Sequence, residues 1–321
     1  MSIGLINPSN GEKLERSGNY FVSRSGSSFP IIRGVLRIAQ AKNYTENFGM
    51  QWNKFSKTQI DRDLLDISEK RFFAETRWDR NSLDGQNILE VGSGAGRFSK
   101  VVLDHTQAVL WSVDYSDAVT ANYINNSAIA PERFHLFQAS IYELPFSNDS
   151  FDKVFCMGVL QHTPDFEASV KALIDKARPG GEIVVDFYPI NGWWTKLNAK
   201  YLLRPFTKRL SHERLMKFIE DNIDWLMKLE QGLHRVGLGV LARFLPIVDI
   251  HGTLPKDLSA AEKREWAILD TFDMFSPEYD NPQRIDDVAA MFARHGARVT
   301  FAGFEYIEGA SAAVVRGIKV A

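Results

Sequence analysis

The residues best suited to chemistry lie in one short stretch, Ile88-Leu89-Glu90-Val91-Gly92-Ser93-Gly94-Ala95-Gly96. An apolar run ends beside an acidic residue and enters three glycines spaced G-x-G-x-G. Glycine lets the backbone turn tightly and lets a ligand approach with no Cβ in the way. The spacing is not the dinucleotide G-x-G-x-x-G. A second apolar run, Val109 to Val113, closes on Asp114, 22 residues after Gly92. That is about the distance at which a βαβ unit presents a carboxylate to a ribose. A helix opening at Gly96 offers N–H donors and a positive dipole end to an anion.

These residues need a scaffold, and the hydrophobic pattern supplies one. Strand 87–91 leads to helix 96–105, and strand 109–114 to helix 117–127. Strands 133–139 and 152–159 follow, then helix 166–177 and strand 181–188. A helix over 284–295 and strands 298–304 and 312–319 close the pattern. Strands alternating with helices predict an α/β fold with a parallel sheet covered on both faces. The segment 190–281 interrupts it with helical periodicity at Leu215, Phe218, Ile219, Ile223, Leu226 and Leu229. Segment 41–83 is also expected to be helical, with an apolar face from Leu64, Leu65, Ile67, Phe72 and Phe73.

The chain has 321 residues, 45% of them hydrophobic, and a net charge of −2. It can bury a large core, and the charge gives no global pull towards nucleic acid or an anionic membrane. The single cysteine, Cys156, excludes an internal disulfide and a multi-cysteine zinc site. Neither a secretory signal nor a spanning apolar run is visible, so a cytoplasmic location is expected. No metal-ligand cluster is expected.

Beyond the glycine turn come Leu144-Pro145-Phe146, then Ser150-Phe151-Asp152-Lys153-Val154, then Pro179-Gly180-Gly181. In this order the motifs resemble those of class I S-adenosylmethionine-dependent methyltransferases. The resemblance implies a Rossmann-like seven-stranded, mostly parallel sheet with an antiparallel last strand. The core would be 84–189 and 282–321, with 41–83 as a helical cap and 190–281 as a substrate lid. Residues 1–40 resemble the small zinc-ribbon modules of some such enzymes. Asn7-Pro8-Ser9-Asn10-Gly11 and Ser23-Arg24-Ser25-Gly26 stand where those ribbons carry cysteines, so no zinc is expected there. The segment is then a metal-free appendage or a docking element. Phe48-Gly49-Met50-Gln51-Trp52 resembles a phrase of a subgroup associated with cell-surface sugars and glycans.

The resemblance implies S-adenosylmethionine as cofactor and S-adenosylhomocysteine as product. Glu90 would face the ammonium, and Gly92, Ser93, Gly94 and Gly96 the amino-acid end. Asp114 would take the ribose, with Tyr115 beside the adenine. Ser140 stands where relatives carry an acid for the adenine amine; Ile141 and Met157 would add apolar contacts. Trp52, Gln161, Asp186, Tyr188 and Asp270 are candidates for the acceptor. A hydroxyl acceptor needs a base. His162 titrates in the right range, though it also fits a loop-orienting role. Asp273 and His251 are the other candidates for catalysis.

The acceptor expected by analogy is a small molecule, a sugar or glycan hydroxyl, and nucleic acid is disfavoured. A carbon or carboxylate acceptor, a non-catalytic binding module and an NAD-dependent oxidoreductase are the alternatives. Lys196, Lys200, Arg204 and Lys208 recur every fourth residue. They predict a solvated cationic face, or contact between 193–209 and a membrane or lipid-linked acceptor. Oligomeric state is not legible.

Overall fold

The computed structural model describes residues 3–39, 43–62, 65–255, 257–307 and 310–320. Leu64 of the expected apolar face lies outside them. Four short strands open the chain: β1 (Leu14–Ser17), β2 (Tyr20–Ser23), β3 (Ser28–Ile32) and β4 (Val35–Arg37). Helices α1 (Glu46–Lys54) and α2 (Ile67–Thr76) follow. The alternating core comprises β5 (Asn87–Val91), α3 (Arg97–His105), β6 (Val109–Asp114), α4 (Val119–Asn126) and β7 (Phe134–Gln138). It continues with β8 (Phe151–Cys156), α5 (Phe166–Lys176) and β9 (Ala177–Phe187). The insertion holds α6 (Ala199–Thr207), α7 (His212–Arg235), α8 (Ile250–Thr253) and α9 (Ala260–Phe275). Helix α10 (Ile285–Arg294) and strands β10 (Ala297–Ile307) and β11 (Ala310–Lys319) complete the chain.

The strands form one sheet of eleven, ordered β1-β2-β3-β4-β7-β6-β5-β8-β9-β11-β10. Strands β4, β7, β6, β5, β8 and β9 run parallel, and β11 pairs antiparallel with both β9 and β10. The expected seven-stranded sheet is therefore corrected to eleven. Strand β4 adds to the β7 edge through the pairs Leu36–Phe137 and Arg37–Gln138. Val35 and Leu36 are buried there, which ties the first forty residues into the core. The positions that would hold ribbon cysteines carry hydrogen bonds instead. Asn7 Nδ2 donates to Ser27 Oγ at 3.1 Å, and Ser23 Oγ lies 3.0 Å from Ser25 Oγ.

Helices cover both faces. Helices α5 and α10 pack on one through Phe166, Val170, Leu173 and Phe292. Helices α2, α3 and α4 pack on the other through Phe72, Phe98, Val101 and Val119. The insertion has its own core, in which Leu215, Ile219, Ile223 and Leu226 of α7 meet Ile268 and Phe272 of α9. Phe218 and Leu229, expected in the same apolar pattern, are exposed.

Helix α6 departs furthest from expectation. Its Lys200 and Arg204 turn inward, not into a solvated cationic face. Lys200 Nζ sits 2.8 Å from Asp280 Oδ1, and Arg204 donates to the carbonyls of Met274 and Pro277. Leu202 and Phe206 face solvent instead. Three carbonyl and carboxylate partners on the 274–280 segment decide this orientation, and charge spacing alone does not reveal them.

Candidate active site

At the carboxyl ends of β5, β6, β8 and β9 lies a cavity of about 1030 Å³, closed on its far side by α8 and α9. Cavities for a single small molecule run roughly 300–1,000 Å³. This one has room for a cofactor and an acceptor together.

The glycine turn forms one wall. Gly92 and Gly94 line the cavity with φ of +85° and +53°. A Cβ on Gly92 would meet Val159 at 2.2 Å, and one on Gly94 would crowd Trp52 at 3.1 Å. Gly96 does different work from that expected. It lies outside the lining, and a Cβ there would strike Asn122 Oδ1 at 2.2 Å. Its role is to let α4 approach. Asn125 and Asn126 of α4 then donate to the carbonyls of Ala95 and Gly96, which holds the turn.

Asp114 lies in the cavity wall and anchors the turn. Its Oδ2 accepts from Gly94 N–H at 2.8 Å, and its Oδ1 from Ser116 N–H at 2.8 Å. Burial raises its pKa, and these donors oppose the rise. Tyr115, Ile141 and Met157 line the same end. Two further cofactor candidates lie outside the lining. Glu90 is buried behind the wall, where its Oε2 accepts from Ser99 Oγ at 2.5 Å and Ser112 Oγ at 2.7 Å. Ser140 also lies outside the lining, and its Oγ accepts from Tyr142 N–H at 3.2 Å in a local turn. The side chains present suit a polar cofactor. Ser93 Oγ and both amide atoms of Gln51 are buried at the wall with no hydrogen-bond partner. Buried polar groups are normally paired, so these three atoms are free to meet a ligand.

Four of the sequence candidates meet at the other end. His162 Nδ1 lies 3.1 Å from the carbonyl oxygen of Tyr279. A carbonyl only accepts, so Nδ1 carries the proton and Nε2 keeps its lone pair. Asp273 Oδ2 stands 3.9 Å from Nε2 and accepts from the Tyr188 hydroxyl at 3.2 Å. Tyr188 packs edge-on against the imidazole at 5.6 Å. Burial lowers the His162 pKa, with Asp273 opposing, so the ring is neutral at neutral pH. Asp270 also lines the cavity and accepts from Gln59 Nε2 at 3.1 Å. Burial, reinforced by Asp273, pushes it up to about 7.

The remaining candidates have other roles. Asp186 lines the cavity but is engaged by Arg71 and by Gly158 N–H. Gln161 is fully buried outside the lining; its backbone carbonyl accepts from Asn281 N–H at 2.7 Å, and its side-chain amide has no partner among the described residues. His251 reaches the cavity wall from the insertion and stacks on His234 at 4.6 Å. Trp52 lines the cavity over Gly94.

Sequence reasoning missed Gln51, Arg71 and Arg97, which all line the cavity. Gln51 and Arg97 directly adjoin Trp52 and Gly96, so adjacency to a motif was the available signal. The Tyr279 carbonyl gave none. The structure also gathers ligand atoms of Glu230, His234 and Asp249 within 4.8 Å, a cluster that the sequence did not show. His234 and Glu230 already pair at 3.3 Å, and Asp249 caps α8.

The methyltransferase domain family matches residues 89–185. The chain is 25% identical over 236 residues to a ubiquinone biosynthesis O-methyltransferase of Shewanella sp. (strain ANA-3), covering 59% of this chain and 93% of that protein. It is 30% identical over 131 residues to a tRNA U34 carboxymethyltransferase of Idiomarina loihiensis, covering 37% of this chain and only 39% of that one. Among solved structures, magnesium protoporphyrin IX methyltransferase from Synechocystis PCC 6803 with bound SAM superposes with a TM-score of 0.47. It is 12% identical, and the match covers 88% of this chain and 100% of that chain.

Proposed function

Since the chain is an S-adenosylmethionine-dependent methyltransferase, we propose that it methylates a hydroxyl oxygen held beside His162. One observation carries this reading. A histidine whose Nε2 lone pair is set by the Tyr279 carbonyl shares a cavity with the glycine turn and Asp114.

Gln51, Ser93, Gly94 and Asp114 are the residues that would hold the cofactor. When bound, S-adenosylmethionine would supply a methyl group whose carbon takes the acceptor's electron pair while the carbon–sulfur pair leaves with the sulfur and cancels its charge. The protein's part is to hold the acceptor, move its proton and exclude water. His162 Nε2 takes the hydroxyl proton, and the Asp273 carboxylate stabilises the imidazolium that forms. Tyr188 keeps Asp273 aimed by donating to it.

For the acceptor we favour a sugar-like polyol. Trp52 and Tyr188 offer flat faces, and Gln59, Asp270 and Asp273 offer hydroxyl partners. A phenolic hydroxyl is the second reading. The relative named for ubiquinone biosynthesis favours it, as do apolar wall residues Leu65, Val248, Leu254 and Leu269.

The test starts with S-adenosylhomocysteine calorimetry on wild type, Asp114→Ala and His162→Ala. Asp114→Ala should lose binding and His162→Ala should keep it. Sugars and phenols are then screened for turnover. His162→Ala should lower turnover by about 10²–10⁴-fold. Because only the neutral ring accepts a proton and burial lowers its pKa, wild-type turnover should fall only as the pH drops below the ordinary imidazole value of about 6.5. Unchanged turnover in His162→Ala would overturn the base assignment.

A further inference from the structure

The insertion carries most of the large hydrophobic side chains that are exposed among the described residues. Of the twenty large hydrophobic side chains exposed among the described residues, thirteen lie between Trp194 and Phe244. They form stripes. On α6 and just after it, Leu202, Phe206 and Leu210 recur every fourth residue. On α7, Phe218, Trp225 and Leu229 line a second face beside the buried Leu215, Ile219 and Ile223, and Val236 follows at the helix end. A 3-10 turn at Gly239–Phe244 continues the surface with Val240, Leu241 and Phe244. The turn packs on α7, and its Arg243 donates to the Trp194 carbonyl, which links it to the 3-10 turn at Trp193–Lys196 that precedes α6. Single exposed apolar residues are ordinary, but contiguous stripes of aromatic and aliphatic side chains are not.

The charge around these stripes selects the occupant. Residues 193–244 hold ten Lys and Arg against five Asp and Glu, in a chain whose net charge is −2. Four of the five acids are already engaged. Glu220 pairs with Lys54, Asp221 with Lys217, Asp224 with Arg264, and Glu230 is buried against His234. Lys196, Lys208, Arg209, Arg214, Lys228 and Arg235 form no ion pair among the described residues. A two-fold contact between copies would set these cations against one another. An anionic lipid surface would neutralise them while taking up the Phe, Trp and Leu side chains. We infer that the outer face of 194–244 docks this protein on anionic membranes, lying in the interface and not spanning it. No helix among the described residues is long and apolar enough to cross.

This inference stands apart from the identity of the acceptor. Its test is flotation with phosphatidylcholine vesicles and with mixed phosphatidylcholine–phosphatidylglycerol vesicles at about 0.1 M salt, where charges are screened over ~10 Å. The full chain should float with the mixed vesicles and stay behind with the neutral ones. Phe206→Asp/Trp225→Asp should abolish flotation, and Lys208→Glu/Arg209→Glu should weaken it by about tenfold or more. The second variant leaves the apolar surface intact. Retained S-adenosylhomocysteine affinity shows that each variant is folded. Absence of wild-type flotation with the mixed vesicles would overturn the inference. So would light scattering that shows a wild-type dimer turned into monomers by the Phe206→Asp/Trp225→Asp change.

Discussion

Glu90 and His162 show how one physical effect, burial, gives two acids and bases different uses. Burial pushes the Glu90 carboxyl up to about 7, although Ser99 and Ser112 both donate to it. Its ordinary value is about 4.3. The folded protein therefore keeps a proton that the unfolded chain releases. The stabilising contribution is complete below about pH 4.3 and is lost as the pH rises to 7. Glu90→Gln cannot ionise. In the cofactor-free protein it should be more stable than wild type at pH 8 by up to about 3 kcal/mol, with the gap closing near pH 4. Thermal unfolding across that range checks it, and a gap that widens in acid would refute it. For His162 burial disfavours the charged form, which leaves a neutral base ready at neutral pH.

At the scale of elements, α6 is turned inside out. Its cations bind the 274–280 segment while Leu202 and Phe206 meet solvent. The Lys200–Asp280 pair is almost fully buried, with side chains 11% and 2% exposed. Removing one member of a buried pair leaves the other charge uncompensated, at a cost of about 3–5 kcal/mol. Lys200→Met should lower stability by that order, and Lys200→Met/Asp280→Asn should recover most of it. Chemical denaturation of the two variants measures both. Equal losses would show that Lys200 matters for packing and not for pairing. Helix α4 supports the site in another way, since its asparagines hold the glycine turn that Gly96 allows it to approach.

At the scale of the whole molecule, the first forty residues extend the sheet and the insertion roofs the cavity. Val35 and Leu36 are buried against the core, and Ile38 N–H donates to the Gln138 carbonyl. Deleting residues 1–38 would leave β7 as a bare edge and remove the buried apolar side chains of Leu14, Val35 and Leu36, each worth about 2–5 kcal/mol in comparable truncations. The shortened chain should melt well below the full chain and scatter light at micromolar concentration. Equal melting would make the segment the appendage that its missing cysteines first suggested. The insertion's two faces are used separately: Trp266 and Leu269 line the cavity, while Phe218 and Trp225 point outward.

Sequence alone determined the elements of the alternating core, often to within two residues. It also located the glycine turn, Asp114 and the cavity placement of His162, Tyr188, Asp270 and Asp273. Period, glycine spacing and strand ends are local properties that neighbouring residues write directly into the chain. Tertiary structure decided where polar side chains point. Tyr279, 117 residues from His162, sets the imidazole tautomer. Ser99 and Ser112 hold one carboxylate oxygen of Glu90 in the buried core, and Asp280 draws Lys200 inward. A buried polar group goes where its partner is, and those partners come from distant segments that only folding brings together.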